Sequence, residues 1–120
     1  MARFMEFEGN LTADPELTTF DDGNSAVRFR LIDNPTRTNR DTGEVIKDPA
    51  VAISCNARGQ LARNIARMAK GDRLLVSGTW KTRTYTTDQG EERSTDFLEV
   101  TAAGHSLRFA HVTKANGADA

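Results

Sequence analysis

The chain has 120 residues, one cysteine, 28% charged residues and a formal net charge of −1. That length suits a single domain with its own core, and the lone Cys55 excludes an internal disulfide and a cysteine-based zinc site. No apolar run approaches the roughly 18 residues of a membrane span, and no apolar leader follows a basic start. The expectation is therefore a protein of the reducing cytoplasm with no membrane partner.

Charge is unevenly spread. Residues 1–57 carry −4, residues 58–83 carry +6 and residues 84–120 carry −3. The central excess comes from Arg58, Arg63, Arg67, Lys70, Arg73, Lys81 and Arg83 against Asp72 alone. A local basic segment matters more for phosphate contact than the total charge does. The polar face of a helix would produce part of the same asymmetry.

Ala2 to Asn10 mixes Phe4, Met5 and Phe7 with charged residues and reads as a first strand. Leu11 to Asp22 reads as an irregular link, because Pro15 keeps Asp14 out of helical geometry. Asp22-Gly23-Asn24 is a turn. Ala26 to Ile32 alternates, with Val27, Phe29 and Leu31 on one face and Arg28 and Arg30 on the other, as in a half-buried strand. Residues 33–49 are polar and turn-rich, with Thr42-Gly43 at the tip of a loop or hairpin that carries Arg37, Arg40 and Lys47. Such loops either bind ligands or are plain surface. Val51 to Ala57 is a third strand, with Cys55 as a buried thiol.

Gly59 to Lys70 reads as a helix. Leu61, Ile65 and Met68 share one side and Arg63, Arg67 and Lys70 the other, with Gly71 as the stop. Arg73 to Tyr85 and Arg93 to Val100 then form a long hairpin around Asp88-Gln89-Gly90. Alternation places Lys81, Arg83 and Tyr85 together and Trp80 on the opposite face. Two cations and an aromatic in one row suit phosphates and a stacked base; a solvated arm is the other reading. Being on the face opposite Tyr85, Trp80 is expected to pack in the core or against another subunit ahead of stacking on a ligand. Leu107 to Lys114 is a possible last strand, and residues 113–120 are expected to form a short flexible tail after a domain spanning 1–112.

Five strands with a helix between the third and fourth match an all-β, five-stranded OB-fold barrel with a long strand 4–5 hairpin. In that architecture the second and third strands form the ligand face. Arg28 and Arg30 are then floor, the hairpin tip from Tyr85 to Arg93 one wall, and the 33–49 loop a second wall. For an enzyme, His105 and His111 are too far apart for a helical metal pair, and no HExxH, P-loop or GxSxG occurs. No cofactor or metal is expected.

In order along the chain stand Gly9-Asn10-Leu11, Asp14-Pro15-Glu16-Leu17, the strand from Ser25 to Leu31, Cys55-Asn56, the run Gln60 to Ala66, Lys70-Gly71-Asp72-Arg73 and Gly104 to Ala110. Together, over roughly residues 3–110, they resemble the bacterial single-stranded DNA-binding proteins of replication, recombination and repair. The resemblance implies a homotetramer that binds single-stranded DNA through stacked aromatics and backbone contacts, without catalysis. It matches Lys81 and Arg83 to the family's basic face and Tyr85 to its stacking aromatic. The third strand departs from the family pattern by lacking aromatics. Each lost platform removes about 1–3 kcal/mol per base, so weaker, more cation-dependent binding is expected, with Arg58 as a partial substitute because guanidinium also stacks. The family's acidic tail is also missing from the sequence, so partners recruited through it are not expected. The alternative is an adaptor of the primosomal replication type, whose members resemble this family, lack the tail and bridge DNA and protein as dimers; the aromatic-poor third strand fits that reading.

Overall fold

The computed structural model describes residues 3–113. The long strands form a closed ring. They are β1 (Arg3–Leu11), β3 (Ser25–Asp33), β6 (Val51–Arg58), β7 (Arg73–Thr86) and β8 (Glu92–His105). They follow the order β1-β7-β8-β6-β3 around the ring, and β3 returns to β1 through Asn10↔Ile32 and Leu11↔Leu31. The pairings are antiparallel except β6 with β8, where Cys55 faces Leu98 and Asn56 faces Glu99. This is the five-stranded OB-fold barrel, with helix α1 (Gly59–Ile65) between the third and fourth barrel strands.

The barrel interior is filled by the inward half of each alternating strand. Val27, Phe29 and Leu31 of β3 meet Ile53, Cys55 and Ala57 of β6, Leu74 and Val76 of β7, and Leu98 and Val100 of β8. Ala62 and Ile65 plug the end through α1. Trp80 packs against this core from the inward row of β7. Burial pushes the Cys55 thiol up to about 12, so Cys55 behaves as a small apolar residue.

The alternation of β3, the third strand with its buried Cys55 at β6 and the long hairpin follow the sequence expectation. Three features differ. The link before Gly23 contains β2 (Glu16–Thr19), an edge strand paired with β3 from Glu16↔Arg28 to Thr19↔Ser25. Pro15 restricts the residue before it, not those after, and a Leu-Thr-Thr run extends readily once β3 supplies a partner. Of the loop and hairpin forms expected for 33–49, the segment takes the hairpin, β4 (Thr36–Thr38) with β5 (Val45–Lys47). Its turn comprises Asn39 to Glu44, with Gly43 at φ 73°.

The helix stops at Ile65, well short of Lys70. Side chains take the backbone donors that further helix would have used: Asp72 accepts from the Ala69 N–H at 2.8 Å and Asp14 from the Lys70 N–H at 2.8 Å. Met68 still reaches the core through this turn. Finally, β8 continues through Thr101-Ala102-Ala103-Gly104-His105, and Leu107 to Thr113 contain no strand. Pairing with the first half of β7, from Ser77↔Ala102 to Leu74↔His105, imposes extended geometry on residues with little strand preference. Lys114 and the rest of the expected tail lie outside the described residues.

The β7–β8 ladder shifts register between Ser77 and Gly78. A Cβ on Gly78 would collide with the Glu99 carbonyl and sit 2.9 Å from Val100 Cα, both backbone. Gly78→Ala is expected to cost about 2 kcal/mol by overpacking, visible as a lowered thermal midpoint; an unchanged midpoint would show that the bulge absorbs a methyl group.

Candidate nucleic-acid interface

The outward half of the same alternation builds the site. Arg28 and Arg30 leave β3 on the face opposite Phe29. In register they stand beside Asn56 and Ser54 of β6, and Arg58 stands beside Ala26. Arg83 reaches the same place from β7, opposite Thr95 of β8. The result is a groove of about 570 Å³ lined by Arg28, Arg30, Arg58 and Arg83, with Ser54, Asn56, Thr95 and Phe97 between them and residues 12–16 at one rim. A second hollow of about 800 Å³ continues past Arg28, Asn56 and Arg58 toward Phe20. Four guanidiniums thus converge on one concave face where, among the described residues, only Arg28 has a carboxylate partner, Glu16 at 3.2 Å. Both groups of that pair are largely exposed, so it competes weakly with another anion.

The other expected residues are arranged differently. Lys81 lies one step back along the outward row, and its Nζ donates to Glu99 Oε2 at 2.7 Å. That hydrogen bond and the lysine charge hold the Glu99 carboxyl below the ordinary glutamate range, so the pair persists at neutral pH. Tyr85 is 45% exposed far out on the hairpin arm. It pairs across the ladder with Arg93, whose guanidinium donates to Glu91 at 2.9 Å. Arg37 bonds Asp48 at 3.2 Å on the β4–β5 hairpin, which also carries Lys47 and, in its turn, Arg40. Neither this hairpin nor the arm tip lines the two hollows; their rims are residues 12–16 and the end of β2.

Arg73, counted in the basic segment, is taken up by structure. It is 11% exposed, donates to Glu8, Asn10 and Asp33, and lies 5.1 Å from the Phe109 ring centroid. Arg63 likewise spends its donors on Gln60 at 2.8 Å and Ser25 at 3.4 Å.

Two aromatics escaped the sequence reading. Phe97 stands directly across from Lys81, in the row of Arg93 and Thr95, and lines the groove. The alternation that buries Leu98 and Val100 turns Phe97 outward, a signal the sequence already carried. Phe20 follows β2 and lines the second hollow; reading 11–22 as an irregular link hid its direction.

A closed five-stranded barrel with a cationic groove across its second and third barrel strands defines an oligonucleotide-binding type of domain. The single-strand binding protein family matches residues 4–110. The chain belongs to that family. It is 39% identical over 103 residues to a protein named single-stranded DNA-binding protein of Mycobacterium tuberculosis (strain CDC 1551 / Oshkosh), covering 85% of this chain and 63% of the relative. A protein of the same name from Corynebacterium glutamicum is 38% identical over 85% of this chain and 46% of its own length. The chain therefore spans less than two thirds of the length of these relatives. The crystal structure of a small single-stranded DNA-binding protein from Streptomyces coelicolor superposes with a TM-score of 0.73 at 25% identity, over 89% of this chain and 96% of that one.

Proposed function

We propose that this protein binds single-stranded DNA without sequence preference and protects it during replication, recombination and repair. The carrying observation is the convergence of Arg28, Arg30, Arg58 and Arg83 on one groove that also presents Phe97. Guanidiniums track phosphates through bidentate contacts. Base stacking adds affinity that every base can provide, which makes the binding sequence-tolerant. Phe97 is the stacking surface inside the groove, and Tyr85 with Arg93 extends contact along the arm. Such a protein captures and releases a strand, and performs no catalysis on it.

The proposed working form is a homo-oligomer, a tetramer with a dimer as the smaller option, acting on the nucleoid in the cytoplasm. Strand β1 supports this. Arg3 to Asn10 pair with β7 along one edge, whereas only Asn10 and Leu11 pair with β3 on the other. Among the described residues, the second edge from Arg3 to Gly9 carries no strand, and Phe4 is 72% exposed there. An open edge of that kind invites pairing with another chain.

Fluorescence anisotropy with labelled oligo-dT and a matched duplex, titrated across salt, tests the function. Single-strand preference is expected, with log affinity falling against log salt by about 0.7 per phosphate neutralised. Equal binding to duplex would reduce the groove to a generic phosphate patch. In the same assay Glu99→Gln should bind about fivefold tighter at 0.1 M salt, the effect of one freed cation, Lys81, on one phosphate. The carboxyl is held low, so wild type should approach the variant only as pH falls below the ordinary glutamate range and Glu99 protonates. No difference at neutral pH would show that Lys81 lies off the DNA path.

A further inference from the structure

We propose that the hollow between the β2–β3 turn and β6 is a distinct nucleobase subsite, in which Phe20 stacks on a base and Asn56 accepts one of its N–H groups. The inference rests on the single-strand-binding reading above and adds a contact outside the Arg30–Phe97 end of the groove.

Two independent observations meet there. Phe20 extends the outward row of Glu16 and Thr18 and is 52% exposed, an aromatic face left largely in water. Its backbone is fixed by the turn: its N–H donates to Asn24 O at 2.7 Å and its carbonyl accepts from the Gly23 N–H at 2.9 Å. A platform already held in place loses little freedom when a base covers it. Asn56 lines the same hollow, and its Oδ1 is buried with no hydrogen-bond partner among the described residues, so it meets a base once its side-chain amide turns toward the hollow. An unpaired buried carbonyl oxygen is unfavourable until a donor reaches it. Arg28 and Arg58 flank both residues and supply phosphate contacts for the same nucleotide. Each base carries a stackable face and at least one N–H on its edge, the thymine N3–H included, so this subsite stays sequence-tolerant.

The test is oligo-dT carrying 5-iodouracil, bound to wild type, Phe20→Ala and Asn56→Leu in anisotropy titrations at 0.1 M salt. Phe20→Ala should weaken binding about 5- to 150-fold, the range for one lost stacked base, with an unchanged melting temperature because the ring is half exposed. Irradiation of the wild-type complex should give an adduct on Phe20 by mass spectrometry. Asn56→Leu should weaken binding about 2- to 10-fold while leaving the melting temperature equal or higher, because an unpaired polar atom is removed. A structural role for Asn56 would instead lower the melting temperature and would overturn its assignment. Unchanged affinity in Phe20→Ala, with adducts confined to other residues, overturns the subsite and leaves single-strand binding standing. Wild type that fails to bind oligo-dT overturns both.

Discussion

Arg73→Met is expected to lower the unfolding free energy by about 3 kcal/mol in urea denaturation, the low end for removing one partner of a buried charge cluster. The arginine joins three barrel strands where the ring closes. From β7 its Nε contacts Glu8 of β1 at 2.5 Å, Nη1 contacts Asn10 at 2.8 Å, and Nη2 contacts Asp33 at the end of β3 at 3.2 Å. The closure itself is only the two-residue pairing of β1 with β3. Removing the guanidinium leaves the Glu8 and Asp33 carboxylates, partly shielded from water, without their shared cation at the two-residue closure of the barrel. Met preserves the stem and isolates the loss of charge. The low end applies because Glu8 and Asp33 remain 27% and 35% exposed.

Arg73→Lys should recover only part of the loss, since an ammonium cannot hold three acceptors in a fixed fork. The contact also carries a pH signature. The hydrogen bond from Arg73, helped by one from Ser106, holds the Glu8 carboxyl below the ordinary glutamate range. A depressed carboxylate contributes stability that is fully present above its unfolded value and disappears as pH falls through the lowered one. Wild type and Arg73→Met should therefore differ most near neutrality and converge in acid. A gap below 1 kcal/mol at neutral pH would mean that the cluster is solvated and energetically idle. Because Arg73 lines neither hollow, the folded variant should keep its affinity for single-stranded DNA.

Replacing Arg28, Arg30, Arg58 and Arg83 together by alanine should weaken binding to oligo-dT about 600-fold at 0.1 M salt. It should also flatten the slope of log affinity against log salt by about 2.8. Both figures follow from four phosphates at about 0.7 each. All four side chains line one groove and face away from the core, so the variant should melt near the wild-type temperature. The slope separates the explanations. A large loss with an unchanged slope would mean that these arginines act through stacking or packing, not phosphate contact. An unchanged affinity would move the binding face to the hairpin arm, where Tyr85 and Arg93 stand.

Much of the barrel was legible because its strands are buried on one face only. Val27, Phe29 and Leu31 against Arg28 and Arg30 leave a single register that hides the apolar set. Thr87 to Glu91 close the hairpin at the expected turn, with Gly90 at φ 82°. Strand β2, the tail end of β8 and the early stop of the helix were not legible. Each depends on a distant partner: β3 for β2, the first half of β7 for residues 101–105, and Asp14 and Asp72 for the Ala69–Lys70 turn. Local propensity contains no information about such partners.

Within the strands it revealed, the sequence by itself determined which way each residue faces, because alternation along a strand is a local geometric property. Arg73, Lys81 and Arg83 all belong to the outward row of β7 and look alike by pattern and charge. Only the tertiary structure decided their separate fates. Arg73 meets Glu8, Asn10 and Asp33 and is locked into the barrel seam, Lys81 meets Glu99 and is neutralised, and Arg83 meets Thr95 and joins the groove. A cation is spent or available according to the groups that the fold brings beside it, and those groups come from strands far away in the chain.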